Sequence, residues 1–195
     1  QAYSKRCLAV IDHVAALAEH HDRRLMVRLV KGAYWDTEVK LAQVQGAADY
    51  PVFTRKAMTD LNYLAAARRL LALRPRLYPQ FATHNALTVA SVLGLAGLAD
   101  QPATEEAGFE FQRLHGMGEA LYQRLSERAP GLGQRVYAPV GGHRELLAYL
   151  VRRLLENGAN SSFVARAADP AVPVEELLAR PQALVETPAQ ARHSR

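Results

Sequence analysis

Phe109-Glu-Phe-Gln-Arg-Leu114, His115-Gly-Met-Gly118 and the ten residues Glu119 to Arg128 read in immediate succession as a strand, a glycine turn and a helix. A short aromatic and aliphatic run suits a pleated strand, and paired glycines suit a tight reversal. The same unit recurs downstream: Arg135-Val-Tyr-Ala-Pro-Val140 as a strand, Gly141-Gly142 as its turn, and 143–157 as a helix. It also recurs upstream. Leu77-Tyr-Pro-Gln-Phe-Ala-Thr83 is strand-like, with Asn85 placed to cap a helix over 86–96 and Gly97 to end it. Leu25-Met-Val-Arg-Leu-Val30 is a further strand, closed by Lys31-Gly32. A short helix from Asp36 to about Gln45 and a turn at Asp49-Tyr50-Pro51 follow it. Thr54 is placed to cap a long helix ending near Leu73, before Arg74-Pro75. The first helical pattern covers Tyr3 to His20, with Leu8, Ile11, Val14, Ala15 and Leu17–Ala18 as one face.

Four strand–loop–helix units imply an α/β fold with a parallel sheet. The expected architecture is a (β/α)8 TIM-type barrel, which takes about 250 residues, with this chain supplying about the last four βα units. A doubly wound sheet is the competing topology, but it would carry a glycine-rich dinucleotide turn after its first strand. Lys31-Gly32-Ala33-Tyr34 is not that turn. Polar residues and glycines follow all four strands, as expected where one rim carries the chemistry. An open half barrel would expose two strand edges, so the remaining units are expected upstream of Gln1, itself placed in a helical pattern. Residues 1–165 form the expected barrel portion, and 166–195, rich in Pro and Ala with a short helix near Val174–Ala179, an expected linker or tail.

At 195 residues and 49% apolar content the chain can bury a sizeable core. Its formal charge of +5 is scattered, without a run of like charges or aromatics interleaved with basics, so nucleic-acid binding gains little support. The single cysteine, Cys7, cannot form an internal disulfide, which fits a reducing compartment. No apolar run approaches the roughly 18 residues that span a membrane. His115 and His143 lack partners at ligand spacing, so no metal site is expected.

Each rim offers groups that a plain structural role also explains. After the first strand, Arg28 and Lys31 supply positive charge, and Gly32 permits close approach of a ligand, or simply turns the chain. Thr83-His84-Asn85 opens a helix whose N-terminus can hold an anion, or merely caps it. Leu114 can wall an apolar pocket before His115-Gly116-Met117-Gly118. Tyr137 lies in the last strand. Tyr149, Arg152, Arg153 and Glu156 are spaced i, i+3, i+4, i+7 and share one helical stripe, while Leu147, Leu150, Val151, Leu154 and Leu155 fill the rest. Adjacent guanidiniums on a helix buried along its apolar side make a fork for a carboxylate; otherwise they form a solvated edge.

Five segments then act together: Val27 to Asp36 (VRLVKGAYWD), Phe81 to Asn85 (FATHN), Phe109 to Gln112 with Leu114 to Glu119, Val136 to Gly141 (VYAPVG), and Leu146 to Asn160 (LLAYLVRRLLENGAN). In this order they resemble the proline dehydrogenase domain of the bifunctional bacterial PutA family, from about Arg24 to Val164. The resemblance implies a (β/α)8 barrel that holds FAD at its strand tips, with strands five to eight supplied here. It implies hydride transfer from L-proline to the flavin, giving Δ1-pyrroline-5-carboxylate, with electrons passed to a quinone. By position, Arg28 matches the arginine beside the flavin. Val30, Lys31, Gly32, Ala33, Tyr34, Trp35, Thr54, Lys56, Thr83, His84 and Asn85 match FAD contacts. Arg152 and Arg153 match the pair that grips the proline carboxylate, Tyr137, Tyr149 and Leu114 match the walls of its site, and Glu156 matches a carboxylate that sets the helix. The chain departs from the family pattern at Leu87, Ala120 and Gly142, where the family carries His, Pro and Thr, and it lacks the lysine and aspartate that earlier strands supply. The implied whole protein is cytoplasmic and peripherally associated with a membrane surface, and it contacts nucleic acid only through a separate upstream domain. Two other readings remain: a fragment inert without its missing N-terminal half-barrel, and a basic helical module for nucleic acid or anionic lipid.

Overall fold

The computed structural model describes residues 1–99, 107–158 and 163–186, with 154–158 described by backbone alone. Four strands, β1 (Leu25–Leu29), β2 (Leu77–Ala82), β3 (Glu110–Leu114) and β4 (Gly133–Tyr137), form one sheet in the order β1-β2-β3-β4. Every pairing is parallel, with Arg28 opposite Gln80, Gln80 opposite Glu110, and Gln112 opposite Arg135. Parallel neighbours need crossover connections, and helices supply them: α2 (Trp35–Val44) and α3 (Lys56–Ala72) after β1, α4 (Ala86–Leu95) after β2, α5 (Glu119–Arg128) after β3. An additional helix, α1 (Cys7–His20), precedes the sheet, and α6 (His143–Gly158) follows it.

One face of the sheet is apolar and covered. Side chains alternate along a strand, so Leu77, Pro79 and Phe81 of β2 point to the same side and are all buried. Phe81, Phe109 and Phe111 cluster with ring centroids 5.5–6.0 Å apart. Tyr63, Ala66, Ala67 and Leu70 of α3 lie over this face without exposure, the two alanines admitting the helix close to the sheet.

The opposite face is polar. Arg28, Gln80, Glu110, Gln112 and Arg135 share it by register, and Glu110 and Gln112 are both buried there. Met26, on the same face near the start of β1, is 65% exposed. Nothing among the described residues covers this side as α3 covers the other.

Several boundaries differ from expectation. Residues 1–6 are turns and a bridge, not helix: Ser4 pairs with Val52, and Phe53 N–H donates to the Tyr3 carbonyl. Beyond that pairing the chain bends at Thr54, and Arg55, with extended φ and ψ, takes the position before Lys56, so α3 starts at Lys56 and Thr54 does not cap it. β4 stops at Tyr137, short of Val140, because the partner strand ends at Leu114 and Pro139 has no N–H to offer. On α6, Leu147, Leu150 and Val151 are exposed, contrary to the burial expected of its apolar side. The tail beyond 166 is more structured than its composition suggests. After α7 (Phe163–Ala168) come α8 (Val174–Leu177) and α9 (Pro181–Glu186), and Arg55 donates to the carbonyls of Leu184 and Val185, fixing α9 beside α3.

Candidate functional site

The carboxyl ends of the strands open into a cleft of about 680 Å3. β1 delivers Arg28, and the loop after it Val30, Lys31, Gly32, Ala33 and Tyr34. The segment after β2 delivers Thr83, His84 and Asn85, β4 delivers Tyr137, and α6 delivers Tyr149, Arg152 and Arg153. Lys56, at the start of α3, reaches the same space. Residues distant in sequence thus meet because parallel strands end on one side. The two arginines of α6 face this space: Arg152 lies with its guanidinium carbon 5.4 Å from the Tyr34 ring centroid, and Arg153 lies 5.3 Å from that of Tyr149.

Some expected residues stand apart. Trp35 is off the cleft, its indole N–H donating to the Phe53 carbonyl at 2.8 Å. Thr54 is not in the lining either. Leu114 is buried behind the cleft, where its backbone N–H donates to Nε2 of His84 at 3.0 Å. The side chain of Glu156 lies outside the described residues. Met117, Phe163 and Val164 line the cleft without having been expected there. Met117 occupies the glycine turn of the third unit, where only the turn was legible; Phe163 and Val164 open α7 as apolar residues with no charged or glycine neighbour beside them to mark a site.

Asn85 does cap α4: its side-chain oxygen accepts from Thr88 N–H at 2.9 Å. The first-turn N–H groups of that helix open beside Lys31 and Lys56, which both pair with Asp60, at 2.5 and 2.7 Å. Burial pulls the Lys31 ammonium below its usual pKa, against the pull of Asp60. Burial also pushes the Asp60 carboxyl up, but Lys31 and Lys56 outweigh it and hold it below the ordinary carboxylate value. Two lysines tied to one carboxylate leave net positive charge beside a helix N-terminus, which suits an anion. The i, i+4 spacing of Lys56 and Asp60 was a legible signal for this pair.

His84 is neutral near pH 7. Burial and the positive charges of Arg153, Arg113 and Arg28 bring its pKa down to about 4. Its Nε2 accepts from Leu114, so the ring proton resides on Nδ1. Gly32, at φ +124°, faces an obstacle other than a ligand: a Cβ there would lie 2.0 Å from the Tyr3 ring. Gly118, at φ +65°, likewise leaves room for His84, whose Cδ2 would be 3.1 Å from a Cβ.

A parallel α/β sheet with a cationic cleft at its strand tips defines the class: an α/β protein whose candidate site lies across the carboxyl ends of its strands. The chain belongs to the proline dehydrogenase family, whose profile matches residues 1–166. It is 56% identical to the bifunctional protein PutA of Salmonella typhimurium over 97% of its length, covering 14% of that protein. It is 31% identical to proline dehydrogenase 1 of Bacillus subtilis, over 73% of this chain and 41% of that protein. A solved structure of proline utilization A from Bradyrhizobium japonicum superposes with a TM-score of 0.87 at 69% identity, over 95% of this chain and 18% of that one. The chain thus spans about one-seventh of the curated PutA relatives it matches.

Proposed function

We propose that this chain forms the C-terminal half of a (β/α)8 barrel that oxidises L-proline to Δ1-pyrroline-5-carboxylate with FAD, the electrons passing to a quinone. Family membership supports the oxidation of proline, and the relatives' names support a larger bifunctional protein. The observation that carries the reading is the convergence of Arg152 and Arg153 with Arg28 on one cleft at the strand tips.

The donor set fits FAD. A second cavity of about 200 Å3 shares Lys31, Lys56 and Asn85 with the main cleft, so a long ligand can run from one to the other past the N-terminus of α4. Lys31, Lys56 and the α4 N–H groups suit a diphosphate. Val30, Gly32, Ala33, Tyr34, Thr83, His84 and Asn85 form the remaining walls for the cofactor. Trp35 and Thr54 act indirectly, through Phe53 and the approach to α3, and Glu156 has the part of setting α6. FAD supplies the hydride acceptor.

The chain's own residues bind and orient. Arg152 and Arg153 grip the proline carboxylate, and charge-assisted hydrogen bonds fix the ring carbon in one place. Tyr137 and Tyr149 wall the ring, with Leu114 behind them. Arg28 stabilises the negative charge that reduction places beside it. His84, being neutral, adds no charge. The remaining barrel, with the lysine and aspartate that the family resemblance implies, belongs to the longer protein. That protein works in the cytoplasm and meets its quinone at a membrane surface; among the described residues no helix is long and apolar enough to cross a membrane.

The test uses the full-length protein. Arg152→Ala with Arg153→Ala should raise the KM for proline on the order of 100-fold while flavin content stays near wild type, since loss of charged contacts costs about 2–5 kcal/mol. A colourless wild-type protein, indifferent to added FAD, would overturn the reading.

A further inference from the structure

The polar face of the sheet holds a chain of side chains that ends on Arg28, and to its other members the proposed function gives no part. Arg28 Nε–H donates to Gln112 Oε1 at 2.8 Å, and Gln112 Nε2 donates to Glu110 Oε1 at 2.7 Å. Glu110 also accepts from Gln80 Nε2 at 2.8 Å and from both Nε and Nη2 of Arg135, at 2.8 and 2.9 Å. Glu110 and Gln112 are each 4% exposed, so neither pairing is an incidental surface contact. The orientation of the Gln112 amide is fixed by its neighbours. Arginine can only donate and an ionised carboxylate can only accept, so the amide oxygen must face Arg28 and the amide nitrogen Glu110. Burial pushes the Glu110 carboxyl up, but its bonds to Arg135, Gln112 and Gln80 prevail and keep it ionised.

Arg28 is held at a second point: its guanidinium carbon lies 4.5 Å from the Tyr137 ring centroid. One anchored N–H and one stacked face together determine the plane and rotation of the group. Its two terminal amino groups have no hydrogen-bond partner among the described residues, and Arg28 is one of the residues lining the cleft.

We propose that Gln112 and Glu110 are positioning residues for Arg28, Glu110 fixing the Gln112 amide and the amide in turn fixing the guanidinium at the strand tips. The inference rests on the proposed flavin role of Arg28. A long side chain left free would have to be ordered at each turnover, whereas a tethered one stabilises developing charge without reorganising. The tether also reaches across the sheet from β1 to β3, so the rigidity of the strands is passed to the charged group.

The experiment uses the flavin-loaded full-length protein. Gln112→Met keeps the volume and removes both hydrogen bonds. It should lower kcat about tenfold or more while the KM for proline changes little, because the carboxylate grip is untouched. The flavin midpoint potential should fall in parallel, by about 30 mV for each tenfold loss in the reduction equilibrium. In an Arg28→Met background the same substitution should change neither quantity further. Glu110→Gln, which preserves shape but frees the amide to turn over, should shift both in the same direction by less. It decides the matter if Gln112→Met loses flavin or folds poorly. Wild-type potential and kcat in a fully loaded Gln112→Met protein overturn the positioning role, as do effects that simply add to those of Arg28→Met. A wild-type protein without flavin or proline oxidation overturns the proposed function and this role together, so the two failures are distinguishable.

Discussion

The two faces of the sheet are made by the same strands and have opposite characters. On one, Leu77, Phe81 and Phe111 are sealed under α3 and its neighbours. On the other, Arg28, Gln80, Glu110, Gln112 and Arg135 are tied to one another, and much of the surface beside them is open. Alternation along a strand lets a single sequence do both. The covered face carries stability within this chain, while the polar face leads to the candidate site and has no such cover among the described residues. Buried polar groups are tolerated only when satisfied, and here each satisfies the next.

The most drastic way to test the contrast is to produce the chain alone. The uncovered side, the two open strand edges of β1 and β4, and the exposed Leu147, Leu150 and Val151 should drive it to dimerise or aggregate. A well-dispersed monomer in size-exclusion chromatography would argue against a half barrel. Next in size, Phe111→Ala on the covered face should cost about 3–5 kcal/mol in urea unfolding, since the residue has no exposure and two aromatic neighbours. A loss under about 1 kcal/mol would mean this cluster is not the core. Asn85→Ala should cost about 1 kcal/mol by removing the α4 cap, and should weaken flavin retention as the helix start loosens.

At neutral pH, where His84 is uncharged in both states, nothing shows, and the remaining effect is a pH dependence. His84 has a pKa near 4 in the folded chain, below its ordinary value of 6.5. The unfolded chain therefore takes up this proton first as pH falls. The stability contributed by the neutral imidazole is fully present above about pH 6.5 and is lost as pH falls towards 4. His84→Gln should flatten the thermal-melting profile in that window, and an unchanged profile would show that His84 is not the group responsible.

The elements that build the covered face were readable in the sequence. Strand and helix periods gave α5 at Glu119–Arg128 without error, and β1, β2 and β3 to within one residue at either end. The Asn85 cap was readable because an Asx residue ahead of an apolar run has one common use. Thr54 failed because α3 begins one residue later than its pattern suggests, with Arg55 at the cap position just after the segment that Val52 pairs with Ser4, a pairing across 48 positions of sequence. The cleft was legible in outline, as polar groups after each strand. The partners that give those groups their properties were not. That Arg28 meets Gln112, or that His84 accepts from Leu114, depends on strand register, which no local pattern encodes. Burial of α6 was misjudged at Leu147, Leu150 and Val151 for a simpler reason: nothing among the described residues covers them.

Gly32 has a mechanical consequence. The Tyr3 ring occupies the place a side chain at position 32 would need, and Ala2 and Tyr3 N–H groups donate to the carbonyls of Val30 and Lys31. The amino-terminal segment and the rim after β1 are therefore riveted into a single plate. A side chain at position 32 would have to push the Tyr3 ring aside and so pry that plate apart.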